Sequence, residues 1–280
     1  MNPILTLENV ALGYSGKRVL TDISFSAFPG ELISVAGPNG SGKTTLLKAM
    51  TKIIKPEKGN ICLHGRNITD ISSKELARKI AVTRQSPQAP AMTVEEYVLL
   101  GRLPFFRKYQ FFETEKDLSA ARKYMELTGI LHLEKNRVDE ISEGERQLAS
   151  MARALCQEPA LLLLDEPTSN LDIARQAAVL ELIHRLKQTL SIAVIMVIHD
   201  LNLASEYSDR MIMLSRESGG IYLMGTPGET LTEKSVRDVY HAEVTVSSNP
   251  VSGKPRLFIN RSGIDHSGID YSGSDQSRNS

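Results

Sequence analysis

The chain has 280 residues and balances 33 Lys and Arg against 33 Asp and Glu, which argues against a protein that coats nucleic acid or an anionic lipid surface. At 41% hydrophobic and 24% charged residues it can bury an ordinary core and is not disordered as a whole. The longest clean apolar run, 192–198, has seven residues, far short of the roughly 20 that cross a bilayer; no stretch reads as a secretory signal, and Cys62 and Cys156 lie too far apart for a metal clip, so a soluble protein of a reducing compartment is expected.

Residues 4–10 alternate apolar and polar, and residues 31–36 form a short apolar run before Gly37; both predict strands. A helical pattern starts at residue 46, and residues 60–63, bracketed by Gly59 and Gly65, predict a further short strand. From 93 to 156 helical patterns take over, at 94–101, 113–128 and 145–156. Strands return at 161–164 and 192–198, on either side of a helix predicted over 173–190. Apolar strands alternating with helices indicate a parallel sheet covered on both faces. The helical block that interrupts the alternation reads as an inserted subdomain. From 260 to 280, nine of 21 residues are Ser or Gly and a five-residue unit recurs at Ser262, Ser267 and Ser272, which predicts a disordered tail.

Three predicted strands end in residues suited to phosphate chemistry. Gly37, Pro38, Asn39, Gly40, Ser41, Gly42, Lys43 and Thr44 fit G-x-x-x-x-G-K-[ST] between a strand and a helix. The glycines let backbone N–H groups converge on phosphate oxygens, and the following helix aims its positive end at the same place. Lys43 supplies a point charge for the β- and γ-phosphates, and the Thr44 hydroxyl can ligate magnesium. The run 161–164 delivers Asp165 and Glu166 at its carboxyl end, where open parallel sheets bind ligands. Asp165 can hold magnesium through water, and Glu166 can take a proton from an attacking water. His199 follows the run 192–198 directly, where an imidazole could hydrogen-bond a terminal phosphate.

Together these motifs resemble the nucleotide-binding subunit of ABC transporters, over about residues 4–240 with a weaker likeness through 244–259. Further family elements match in order. Tyr14 falls at the adenine-stacking aromatic, Gln85 at the glutamine loop that contacts magnesium and water, and Ile141, Ser142, Glu143, Gly144 and Glu145 at the signature LSGGQ. Ser169, Asn170, Leu171 and Asp172 match the D-loop, and His199 the switch histidine. The resemblance implies an α/β, P-loop NTPase (RecA-like) fold: a parallel sheet core, an antiparallel β subdomain and an inserted α-helical subdomain at about 90–157. Residues 1–240 would form the nucleotide-binding domain, 241–259 a C-terminal extension and 260–280 the tail. ATP and Mg2+ are implied, with Lys43, Gln85, Glu166 and His199 catalytic and Thr44, Gln85 and Asp165 at the metal. Tyr14, the loop from Gly37 through Thr45, Ser142, Gly144 and Asp172 would contact the nucleotide.

The implied mechanism is a homodimer in which each ATP lies between the phosphate loop of one copy and the signature of the other. Ser142 and Glu145 form a capping-box pattern, with Leu148, Met151, Ala152 and Leu155 as an apolar face behind it. Glu143 replaces a glycine of the signature, and its carboxylate is expected to point away from the nucleotide. Gly101, Arg102, Leu103 and Pro104, with residues 239–244 followed by Gly253, Lys254 and Pro255, resemble importers of iron-siderophore, haem and cobalamin. The implied partners are a transmembrane permease and, indirectly, an extracytoplasmic substrate-binding protein, with no nucleic acid. The implied location is the cytoplasmic face of the plasma (inner) membrane. Phe105, Phe106, Phe111 and Phe112 cluster beside Tyr109, either as the helical subdomain's own core or as a permease-docking patch. A non-transport ABC ATPase acting on ribosomes or DNA is the alternative. The single cassette, and the 99 positions between Lys43 and Ser142, fit it poorly.

Overall fold

The computed structural model describes residues 2–14, 17–83 and 91–264. In chain order its elements begin with β1 (Leu5–Tyr14), β2 (Lys17–Ala27), β3 (Leu32–Ala36), α1 (Lys43–Met50), β4 (Lys58–Leu63), β5 (Arg66–Asn67), α2 (Ser73–Ala77) and β6 (Ile80–Thr83). The helices α3 (Val94–Leu99), α4 (Glu115–Leu127) and α5 (Glu143–Leu155) follow. The chain then continues through β7 (Leu161–Asp165), α6 (Ile173–Leu190), β8 (Ala193–Val197), α7 (Leu201–Tyr207), β9 (Arg210–Ser215) and β10 (Gly220–Gly225). It ends in α8 (Pro227–Thr230), α9 (Glu233–Tyr240), β11 (Ala242–Ser248) and β12 (Pro255–Ile264).

Among the described residues the main sheet has the order β10-β9-β3-β8-β7-β6, parallel except for the β9–β10 pair. Its central strands are buried along their length because they divide their side chains between two cores. Leu161, Leu163, Ala193, Ile195 and Val197 face α1 and the antiparallel sheet β2-β1-β4-β5. Leu162, Leu164, Val194 and Met196 face the helical side, with residues of α3, α4, α5 and α6. Period-two alternation between two apolar environments is why these strands read as unbroken apolar runs.

β1 runs four residues past the alternation that predicts it. Asn9 adopts φ 49° and the register with β2 shifts between Leu7 and Val10. The bulge re-aims the strand so that Val10, Ala11 and Leu12 are all buried, which interrupts a period-two pattern. At the other end, β12 takes in residues 260–264, with Ala242 of β11 opposite Ile264. Residues 260–264, expected from composition to belong to a disordered tail, are part of this strand; residues 265–280 lie outside the described residues.

Arg102, from the motif that resembles the chelate importers, is 8% exposed and ties the helical side together. Its guanidinium donates to Asp117 Oδ1 at 3.0 Å, to the Cys156 carbonyl at 2.9 Å and to Glu158 Oε2 at 3.1 Å, and it lies 4.0 Å from the Phe105 ring centroid. Burial works against ionisation of the Asp117 carboxyl, but hydrogen bonds from Thr114 and Arg102 hold it below its ordinary value. Removing one partner strands a buried charge, so Asp117→Ala should lower unfolding free energy by about 3 kcal/mol at pH 7 in urea titration. A carboxyl whose folded pKa is depressed contributes fully above its unfolded value of about 3.9. The gap between wild type and Asp117→Ala should therefore close as pH falls through the lower, folded value.

Candidate active site

The order β3-β8-β7 sets three loops side by side at the carboxyl edge of the sheet. Val35 pairs with Val197, and Val197 with Asp165. The strands that carry the phosphate loop, His199 and the two carboxylates therefore end at one level, where ligands of such sheets bind.

The phosphate loop is shaped by close approach. A Cβ on Gly37 would lie 2.6 Å from the Leu214 carbonyl and 2.6 Å from Ser41 Oγ. Gly42, at φ 97°, caps α1 with no side-chain bond, leaving the helix's first amides to an incoming anion. Lys43 is 7% exposed. Its ammonium donates to the Gly37 carbonyl at 2.7 Å and the Pro38 carbonyl at 3.0 Å. Burial lowers its pKa, against the opposing pull of Glu166 and Asp165. Ser41 Oγ is buried in the same loop without a hydrogen-bond partner, an orphaned donor suited to a phosphate oxygen. Thr44 is exposed and Thr45 buried.

Glu166 follows β7 with φ 53°, a conformation that non-glycine residues seldom adopt and that clusters at functional sites. Both of its backbone groups are held: the amide donates to the Val197 carbonyl at 3.1 Å, and the carbonyl accepts from Ser169 Oγ at 2.7 Å. The side chain meets His199, with Nε2 2.7 Å from Glu166 Oε1. Lys43, Thr44, Glu166 and His199 border one open cavity of ≈ 260 Å³ with Asn39 and Gly40. Tyr14 is 44% exposed, with Lys48 Nζ 5.8 Å from its ring centroid. Gln85 lies outside the described residues.

The signature stands apart from this cavity, at the start of α5. Ser142 caps the helix and Glu145 reaches back, its Oε2 accepting from the Ser142 amide at 2.8 Å and hydroxyl at 2.7 Å. These bonds hold the Glu145 carboxyl below its ordinary pKa. Glu143 accepts a 2.6 Å bond from Arg146, whose guanidinium also donates to the Ile141 carbonyl at 2.9 Å. Its charge is thus balanced within the first turn. Gly144 lies under the Arg175 side chain. Asp172 spends its carboxylate on α6, with Oδ1 accepting from the Arg175 amide at 2.8 Å. Within one copy, then, the chain brings together the phosphate loop, Glu166 and His199, while Ser142, Gly144 and Asp172 face neither Lys43 nor the cavity beside it.

Two residues escaped the sequence reading. Arg146 could have been found from its i, i+3 spacing to Glu143. Tyr240 could not: its hydroxyl is buried against the Gly37 backbone without a hydrogen bond of normal geometry, a contact made across 203 positions of sequence.

A strand–loop–helix phosphate site at the edge of a parallel sheet, facing a strand-end Asp-Glu pair, defines a P-loop NTPase. Residues 20–169 match the ABC transporter family. The ferric enterobactin transport ATP-binding protein of Escherichia coli is 36% identical over 249 residues, covering 89% of this chain and 91% of that protein. An uncharacterized ABC transporter ATP-binding protein of Bacillus subtilis is 38% identical over 253 residues, and the match spans 90% of this chain but 57% of that protein's length. A solved inward-facing structure described as of the metal-chelate type of ABC transporter superposes with TM-score 0.79 at 26% identity, covering 93% of this chain and 99% of the other. The chain belongs to the ABC transporter family and is one of its ATPases.

The Glu143–Arg146 pair yields a test of the divergent signature. Arg146→Ala frees a carboxylate at the helix start and should slow ATP hydrolysis roughly fivefold, equivalent to about 1 kcal/mol of unbalanced charge. Adding Glu143→Gly should restore the rate, whereas Glu143→Gly alone should change it less than about threefold. Steady-state phosphate release on the three variants measures this.

Proposed function

We propose that this chain binds and hydrolyses ATP to energise import of a metal chelate through a membrane permease, as a homodimer on the cytoplasmic face of the plasma membrane. The observation that carries the chemistry is the 2.7 Å contact between Glu166 and His199, facing Lys43 across one cavity. Lys43 would exchange the Gly37 and Pro38 carbonyls for β- and γ-phosphate oxygens, which compensate its burial better than two neutral acceptors. Water would attack the γ-phosphorus as the bond to the ADP oxygen breaks, and Glu166 would receive the water's proton. His199, donating from Nε2, would hold that carboxylate in line.

The Thr44 hydroxyl and the Asp165 and Gln85 oxygens are hard donors of the kind that suit magnesium, which takes one or two protein carboxylates plus substrate phosphates. Bound there, the ion would neutralise charge on the phosphate oxygens. The exposed signature in one copy has no nucleotide to meet unless a second copy supplies it, which supports a dimer closed by ATP and released by hydrolysis. Cargo class rests on likeness to the ferric enterobactin protein and on residues 101–104.

The permease contact is assigned to the turn after residue 105. Tyr109, Phe111 and Phe112 are 78%, 80% and 80% exposed, so they do not form the helical core. Gln110 closes the turn by accepting from the Arg107 amide at 3.0 Å and donating to the Phe112 carbonyl at 3.0 Å. An ordered turn that presents bare aromatic rings is suited to a protein interface.

Glu166→Gln should retain ATP binding, nearly abolish phosphate release and accumulate as an ATP-dependent dimer in size-exclusion chromatography. Turnover near wild type would exclude Glu166 as the base. Lys43→Ala should instead weaken nucleotide binding itself, read by equilibrium dialysis. Phe111→Ser with Phe112→Ser should leave melting temperature and basal ATPase unchanged while reducing co-purification with the permease from membranes.

A further inference from the structure

The hairpin β11–β12 lies beyond the residues matched to the family, 20–169. It does not rest on the body through apolar packing alone. β11 is bonded to α9, where Arg237 donates to Glu243 and Glu233 accepts from the Val246 amide, while the turn and β12 are bonded to one short helix, α7. Near the start of α7, the Asn202 side chain pairs with both backbone groups of Leu257: Oδ1 accepts from the amide at 2.7 Å and Nδ2 donates to the carbonyl at 3.2 Å. One turn on, Ser205 Oγ donates to the Pro255 carbonyl at 2.7 Å. At the far end, Lys254 Nζ donates to the Glu206 carbonyl at 2.5 Å and the Ser208 carbonyl at 3.4 Å, where a cation also meets the negative end of the helix. Asn249 and Ser252 both donate to Glu206 Oε2, at 3.0 and 2.9 Å.

Such a grip fixes both ends of a seven-residue helix that has little stability of its own. α7 begins next to the site. Asp200 caps it, accepting from the amides of Asn202 and Leu203 at 2.8 and 3.0 Å, and His199 is the residue immediately before that cap. His199 is thus held between the end of β8, where the Ile198 amide donates to the Val35 carbonyl at 3.3 Å, and the capped start of α7.

We propose that the β11–β12 hairpin is a positioning element for hydrolysis, and that Asn202, Ser205 and Lys254 act on the reaction through α7 by fixing His199 against Glu166. This rests on the reading of Glu166 and His199 as catalytic. The clamp has two halves: Asn202 and Ser205 of α7 bind backbone groups of β12, and the Lys254, Asn249 and Ser252 side chains of the hairpin bind the far end of α7.

The test uses the full chain with Mg-ATP. The double variant Asn202→Ala, Ser205→Ala should lose about tenfold in kcat, because a small misplacement of a catalytic group is costly, with KM for ATP within about twofold. Lys254→Met, which leaves α7 itself unaltered, should move kcat in the same direction. Melting temperature is recorded for each, with rates taken well below it. A drop in melting temperature with kcat unchanged in both variants would mean that the hairpin only stabilises the fold, and would overturn the proposal. An equal loss in kcat and rise in KM would also overturn it, since that pattern reports damage to nucleotide binding. His199→Ala serves as the reference: if it hydrolyses ATP at the wild-type rate, the catalytic reading fails, and the clamp with it. If it is impaired while the clamp variants match wild type, the clamp alone fails.

Discussion

A buried ammonium is the constraint on which this site depends. Lys43 sits largely buried in a loop of converging backbone, its ammonium bonded to the Gly37 and Pro38 carbonyls. Desolvation disfavours its charge, and the carboxylates of Asp165 and Glu166 oppose that loss from the end of β7, one strand beyond β8. These parts are interdependent. The carboxylates lie near the lysine only because β8 separates β3 from β7 in the sheet, and β8 in turn delivers His199. An anionic ligand would relieve the electrostatic mismatch that this arrangement maintains, which is how a binding site can be held ready at the expense of stability.

The helical side obeys a second constraint of the same kind. The Arg102 guanidinium is desolvated, yet its bonds to Asp117 and Glu158 outweigh burial and keep it charged. It joins the turn after α3, the first turn of α4 and the end of α5. A residue quoted from the sequence for its likeness to a transporter branch thus has a structural purpose: it sets the base from which the aromatic turn at Tyr109–Phe112 projects. Motif likeness and packing role coincide there, which is why neither alone would have explained the residue.

Elements whose signal is local were legible in the sequence. The helix α6 was predicted at its observed bounds, and the capping box of α5 followed from Ser142 and Glu145 alone. Strands β3, β7 and β8 were visible because both of their faces are apolar. The sequence pattern does not assign β2, β5, β6 and β10 to β12, whose burial is mixed or whose length is short, nor β9, although five of its six residues are buried. In the site, the residues that bind through backbone geometry or strand ends were placed by motif. What the sequence could not express was long-range engagement: that Tyr240 lies against the phosphate loop and that α7 is held from residues 249–257; the Glu143–Arg146 pair, by contrast, is a local i, i+3 signal.

The division of the sheet's side chains into two clusters has an evolutionary consequence. Leu162 and Leu163 are adjacent in the chain but belong to separate cores, one shared with the helices and the other with the nucleotide-bearing face. Substitutions in the two cores touch different side-chain neighbours, so the effects of those more than about 10 Å apart should sum with little interaction. The helical side can then accept exchanges one at a time while the packing beneath the phosphate loop stays as it is. A sheet two residues thick in pattern acts as a firewall between the part of the molecule that must change and the part that must not.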